Sequence, residues 1–163
     1  MINKFYTLCI VFFMVISISC TNATATPRGE GDLAANFTSS DMKGNPVSLG
    51  DYIGKDPMLL VFFATWCPPC SREVPDLNNI NNEYSERGLK VVAVSLDNSR
   101  SVLPNFIQRN GINYTVWHDG NRTAAREYEV VGIPTNILIN REGVISFRAH
   151  RTPSSKEIET MLE

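Results

Sequence analysis

In the stretch FFATWCPPCSREVP, which runs from Phe62 to Pro75, Cys67 and Cys70 are separated only by Pro68 and Pro69. Two cysteines at this spacing can exchange with disulfides, supply half of a metal site, or staple a loop. A structural zinc site needs four nitrogen or sulfur ligands. The other two cysteines, Cys9 and Cys20, lie in an apolar N-terminal segment, and the only histidines, His118 and His150, lack any H-x-x-x-H spacing. A disulfide across two intervening residues closes too small a loop to stabilise much through chain entropy. The residues therefore favour a redox pair, with metal binding and a staple as the alternatives.

The elements around the pair support this choice. Pro57–Ala64 (PMLLVFFA) is a continuous apolar run, as expected of a central strand covered on both faces. Beyond Cys70, the residues Val74, Leu77, Ile80 and Tyr84 recur at helical spacing up to Gly88. Cys67 thus stands where a strand hands over to a helix, beside unpaired first-turn N–H groups and the positive end of the helix dipole. Both favour a thiolate, the nucleophile of disulfide exchange. Cys67 is the expected attacking thiol and Cys70, one turn further in, the resolving one. Pro68 and Pro69 fit a first helical turn but carry no N–H, so thiolate stabilisation is expected to be weaker than with donor-bearing residues.

Further elements follow from the same patterns. NFTSSDMKGNPVSLGDYIGK reads as two short strands with turns near Gly44 and Gly50, and Leu89–Leu96 as a second buried strand. Ser101 is the expected cap of a helix carrying Val102, Leu103, Phe106 and Ile107, with Gly111 as its stop. A strand at Tyr114–Trp117, a helix near Thr123–Tyr128 and a hairpin of Thr135–Ile139 with Val144–Phe147 come next. Ser154 and Glu157 form a capping box for the last helix. Strands alternating with helices and closing on a hairpin predict an α/β fold with a mixed sheet.

The chain has 163 residues, 43% of them hydrophobic, enough for one domain with a proper core. A net charge of −2 without a basic stripe argues against nucleic acid as a partner. Residues 1–25 read as a leader, with Lys4 ahead of an apolar run from Leu8 to Ile18 that is short for a membrane span. Two exits are written after it. Ala23-Thr24-Ala25 is an A-x-A cleavage site, and Ser17-Ile18-Ser19-Cys20 resembles a lipobox that would make Cys20 a lipidation site; an uncleaved anchor is the third reading. Residues 26–163 are then an exported domain, periplasmic or held to a membrane facing outwards, attached only through its leader or a lipid.

F-A-T-W-C-P-P-C-x-x-E-x-P after an apolar strand, followed by Gly132-Ile133-Pro134-Thr135, resembles the thioredoxin fold. The upstream F-x-x-x-D-x-x-G-x-x-V-S-L pattern narrows the resemblance to exported TlpA/ResA-like thiol–disulfide oxidoreductases, over residues 31–162. The resemblance implies a thioredoxin-like α/β/α sandwich, its central mixed sheet extended by an N-terminal β-hairpin. It implies a cis proline at Pro134 facing the cysteines, with the Ile133 backbone free to pair with an extended substrate, and Trp66 as an apolar platform beside the sulfur. No cofactor beyond a redox-active Cys67–Cys70 disulfide is implied, and no metal. Expected partners are protein thiols and disulfides, with a membrane protein as electron donor. Reduction of protein disulfides is the implied role, and cytochrome c maturation one specific form of it.

This chain departs from the family in ways that bear on proton transfer. Val61 stands where thioredoxins carry a buried Asp and TlpA-like relatives often Asn. In the loop after the second buried strand, Asn98 occupies the place of a family Glu, with Asp97 beside it. Asp97 reads either as a proton shuttle or as a solvated loop acid. Glu73 matches a family position and reads as a first-turn helix acid or as an influence on Cys70. Two other functions share features with this pattern: a thiophilic-metal (copper) chaperone, and a peroxiredoxin-type peroxidase. Peroxidases place Thr three residues before the reactive cysteine, where this chain has Ala64, with Thr65 next to it.

Overall fold

The structure, a computed structural model, describes residues 28–163; the leader assigned to residues 1–25, with Cys20, lies outside them. Seven strands form one mixed sheet in the order β2-β1-β5-β4-β3-β6-β7. They are β1 (Thr38–Ser40), β2 (Pro46–Ser48), β3 (Met58–Phe63), β4 (Lys90–Ser95), β5 (Thr115–His118), β6 (Thr135–Ile139) and β7 (Ile145–Ala149). The helices are α1 (Pro68–Tyr84), α2 (Leu103–Asn110), α3 (Thr123–Glu127) and α4 (Ser155–Leu162).

Connections explain the layering. β3, β4 and β5 are parallel neighbours, reached through α1 and then α2. Two right-handed crossovers that step across a sheet in the same direction must leave their helices on the same face. Leu103 and Phe106 of α2 accordingly share a core cluster with Val61, Leu77 and Ile80, and Ile158 and Met161 of α4 join it. On the other face, Ala124 and Ala125 of α3 pack with Phe37, Leu49 and Tyr128. The apolar run of β3 is continuous because both faces need it. Leu59, Val61 and Phe63 enter the first cluster, while Met58, Leu60 and Phe62 enter the second. Each such fully buried large side chain contributes about 1.5–3 kcal/mol relative to exposure.

The predicted hairpin of β1 and β2 is present, and Ser40 of β1 pairs with His118 at the edge of β5. The hydroxyls of Ser39 and Ser40 also donate to the His118 carbonyl, at 2.8 and 3.1 Å. The hairpin thereby extends the sheet beyond β5. β6 and β7 run antiparallel on the far side of β3, as the turn residues predict.

Most element ends shift by a residue from the sequence expectation, and three local differences matter more. Ser99, not Ser101, accepts the cap hydrogen bond, and it caps a short 3₁₀ turn at Arg100–Val102 that leads into α2. Val144 still accepts from the Asn140 N–H across the turn but forms an isolated bridge with Leu33, and β7 begins one residue later, at Ile145. α1 begins at Pro68, which places Glu73 in its second turn instead of its first. The expected capping box of Ser154 and Glu157 is formed in full.

Candidate active site

β3 ends at Phe63, and four residues later Cys67 becomes the N-cap of α1 with extended backbone (φ −95°, ψ 105°). Pro68 and Pro69 fill the first two helical positions, where a missing N–H costs nothing because no intrahelical acceptor exists for it. The first available donor is therefore the Cys70 N–H, which points at Cys67 Sγ from 3.2 Å. Cys67 and Cys70 are joined as a disulfide, their Cα atoms 5.3 Å apart. Both are only 4% exposed, while Pro68 and Pro69 lie at the surface.

Opposite the pair, the Ile133–Pro134 peptide is cis. Cys67 Sγ lies 3.7 Å from the Ile133 carbonyl oxygen, so the Gly132–Thr135 turn borders the sulfur directly. The half-buried Ile133 contacts both core clusters, and Pro134 is buried. Trp66, 65% exposed, and Val131, 91% exposed, leave large apolar surface on the segments that carry the cysteines and the cis proline. Trp66 is thus a surface residue in the sequence position expected of a platform.

Asp97 is a correction to the solvated-acid reading: it is 4% exposed. Its Oδ2 accepts from the Thr65 N–H at 2.9 Å and from Ser95 Oγ at 2.8 Å, and its Oδ1 accepts from Thr65 Oγ1 at 2.7 Å. The parallel register that sets Phe63 beside Ser95 carries Thr65 and Asp97 to adjacent places beyond the ends of β3 and β4. Asp97 clamps the strand-to-helix loop just ahead of Trp66 and Cys67. Asn98 is exposed beside it.

Glu73 lies one helical turn beyond Cys70, half-buried, on a helix whose adjoining Cys70, Val74 and Leu77 enter the core. Its carboxyl is pushed above its usual range by burial, aided by the Asp76 charge. The Asn136 amide, the Thr152 backbone and His150 pull in the opposite direction. Asn136 Nδ2 donates to Glu73 Oε2 at 3.0 Å.

Sequence reasoning missed Asn136, Thr65, Ser95 and His150 as neighbours of the site. His150 Nδ1 sits 2.7 Å from the Pro134 carbonyl, behind the cis-proline turn. Thr65 had a visible signal, being adjacent to Trp66 and Cys67; the other three reach the site only through strand register. Among the described residues no three His, Cys, Asp or Glu side chains gather as metal ligands would.

Residues 31–148 match the AhpC/TSA family. The thiol-disulfide oxidoreductase ResA of Geobacillus kaustophilus is 32% identical over 133 residues, which cover 82% of this chain and 76% of that protein. ResA of Bacillus subtilis is 36% identical over 116 residues, 71% of this chain and 64% of that one. Among solved structures, a Chlorobium tepidum protein described as thiol:disulfide interchange protein DsbE superposes with a TM-score of 0.75 at 31% identity, covering 82% of this chain and 98% of that one. The thioredoxin domain of a Bacteroides vulgatus thiol-disulfide oxidoreductase gives 0.72 at 26% identity, covering 82% and 98%. The chain belongs to the AhpC/TSA family of thioredoxin-fold proteins, and within that family it is a thiol–disulfide oxidoreductase of the ResA/DsbE type.

Proposed function

We propose that the chain works outside the cytoplasm as a reductant of protein disulfides, with the Cys67–Cys70 pair as its only redox group. The observation that carries this reading is the approach of Cys67 Sγ to the Ile133 carbonyl, 3.7 Å away, on two segments that also carry the exposed Trp66 and Val131. An extended substrate segment can hydrogen-bond to the backbone of that turn, as a strand adds to a sheet edge, while its disulfide meets Cys67. Export rests on the leader sequence. Among the described residues no helix is long and apolar enough to cross a membrane.

In the reduced protein the Cys67 thiolate attacks one sulfur of the substrate disulfide. An S–S bond to the substrate forms, and the other substrate sulfur leaves as a thiolate that takes up a proton. Cys70 then loses its proton and attacks Cys67 Sγ, breaking the mixed disulfide and releasing the second substrate thiol. The substrate gains two electrons, and the protein is left with the Cys67–Cys70 disulfide. A membrane electron donor restores the dithiol.

Glu73 is the proposed proton acceptor for Cys70. It is one turn away on the same helix, and burial raises its affinity for a proton towards the working range of a base. Asp97 is less suited, since three donors from Thr65 and Ser95 already engage its two oxygens. The same contacts weigh against peroxidase chemistry, because the Thr65 hydroxyl is committed to Asp97.

The reduction potential of the Cys67/Cys70 couple tests the direction of electron flow. A value near about −270 mV marks a reductant, and one near about −120 mV an oxidant, which would overturn the proposal. Cytochrome c maturation is the specific role this reading includes. Faster reduction of a disulfide-bonded C-x-x-C-H haem-attachment peptide than of insulin would support it, and equal rates would remove it.

A further inference from the structure

Asn136 is fully buried in β6, two residues past the cis proline and directly paired with Val61 of β3. Along β3, Val61 belongs to the cluster under α1 that also contains Cys67 and Cys70; along β6, so does Leu138, two residues from Asn136 and hence on its face of the sheet. Asn136 is the one polar side chain of β6 on that face. Its Nδ2 donates to Glu73 Oε2 at 3.0 Å, while its Oδ1 has no hydrogen-bond partner and no access to solvent.

A buried acceptor left unpaired is unfavourable, and an apolar side chain such as the neighbouring Val61 would avoid it. The amide is useful for what it offers Glu73. An ionised carboxylate accepts only, and Nδ2 supplies the donor; a protonated carboxyl must donate, and the open Oδ1 supplies the acceptor. One amide can therefore satisfy both forms of the acid. The other titratable groups that bear on Glu73 are Asp76 on α1, His150 beyond β7, and Tyr114 ahead of β5. Only Asn136 among the described side chains hydrogen-bonds to its carboxyl.

We propose that Asn136 is a positioning residue for the resolving step, holding the Glu73 carboxyl in place one helical turn from Cys70 before and after it takes the Cys70 proton. The proposal rests on Glu73 being the proton acceptor. In the step itself, Cys70 Sγ forms a bond to Cys67 Sγ, the bond from Cys67 to the leaving thiol breaks, and the leaving thiolate carries off the electron pair. The Cys70 proton passes to Glu73, whose new O–H turns to Asn136 Oδ1.

Mixing the reduced full chain with an aromatic disulfide reagent releases two thionitrobenzoate ions in sequence, the first on attack by Cys67 and the second on resolution by Cys70. The test follows the second release against pH in wild type, Glu73→Gln, Asn136→Val and the isosteric Asn136→Asp, alongside a carbon-13 NMR titration of Glu73. Removing the donor, or replacing it with a second carboxyl, is expected to raise the Glu73 titration midpoint and the pH midpoint of the second phase together, by about one unit. The first phase is expected to stay within about twofold of wild type, a change worth well under one pH unit. Val removes the unpaired acceptor and Asp keeps the side-chain outline, so a folding defect in one leaves the other informative. A second phase with an unchanged pH profile in Glu73→Gln overturns the proton-acceptor reading and the role of Asn136 with it. A shifted Glu73→Gln profile combined with wild-type Glu73 titration in both Asn136 variants overturns the role of Asn136 alone.

Discussion

Thr65 and Asp97 are joined twice, by the Thr65 N–H at 2.9 Å and by its hydroxyl at 2.7 Å, across the ends of two parallel strands. The clamp fixes the loop that delivers Cys67 to the start of α1. Asp97→Ala leaves the Thr65 N–H and the Ser95 hydroxyl without their acceptor. It is expected to cost about 2–3 kcal/mol, read as a lower urea midpoint with unchanged slope. Asp97→Asn keeps the shape, and the pH midpoint of disulfide exchange is expected to stay where it is. A moved midpoint would make Asp97 a proton carrier.

Pro69 withholds a donor from Cys67. Among the described residues, the only helix N–H engaged by Cys67 Sγ is that of Cys70, at 3.2 Å. Pro69→Ala restores an N–H in the first turn beside the sulfur. The thiolate is expected to form at a pH lower by up to about one unit, with a couple up to about 30 mV more oxidising. Ultraviolet thiolate absorbance and equilibration with glutathione measure the two effects. No change in either would show that the helix dipole and Cys70 alone set the thiolate.

Trp66, immediately before Cys67 in the chain, is 65% exposed, and the proposed substrate docking would bury its ring. Trp66→Ala is expected to slow reduction of a protein disulfide about tenfold, since burying an indole face contributes on the order of 1–2 kcal/mol. Reaction with a small disulfide reagent should be unaffected. Equal slowing of both substrates would mean that Trp66 acts on Cys67 itself and not on docking.

Glu157 contributes a pH-dependent stability at α4. The Arg151 guanidinium, at 2.7 Å, and the Ser154 backbone hold its carboxyl down at about 2. Because the folded value is depressed, its stabilisation is complete above the unfolded value of about 4.3 and is lost as the pH falls through the folded value. Screening at this largely solvated site limits the contribution to about 1 kcal/mol. Glu157→Gln should lower the melting temperature at pH 6 and have little effect at pH 2. An equal loss at both values would show that the cap matters for its geometry and not for its charge.

Much of this molecule is legible in its sequence. The strand–Cys–helix junction, the hairpins, and the Ser154 capping box depend on residues adjacent in sequence, whose spacing and backbone preferences decide local structure. Ser99 and Ser101 mark the limit of that reasoning. Both hydroxyls could cap, they lie 2.8 Å apart, and only the path from β4 into the 3₁₀ turn selects Ser99. Asp97 looks like a loop acid because Asn98, Ser99 and Arg100 follow it; the parallel register of β3 and β4 buries it against Thr65.

By itself, then, the sequence determined the chemistry of Cys67 and Cys70, the helix that carries them and the alternation that makes an α/β sandwich, because each is encoded within one or two turns or strands. The tertiary structure decided which side chains meet Glu73 and Asp97. Asn136 and Glu73 are 63 residues apart, and they meet because β6 lies beside β3 while α1 packs across the same face. Strand order and register are set by how the whole core closes, so no local spacing could have paired them.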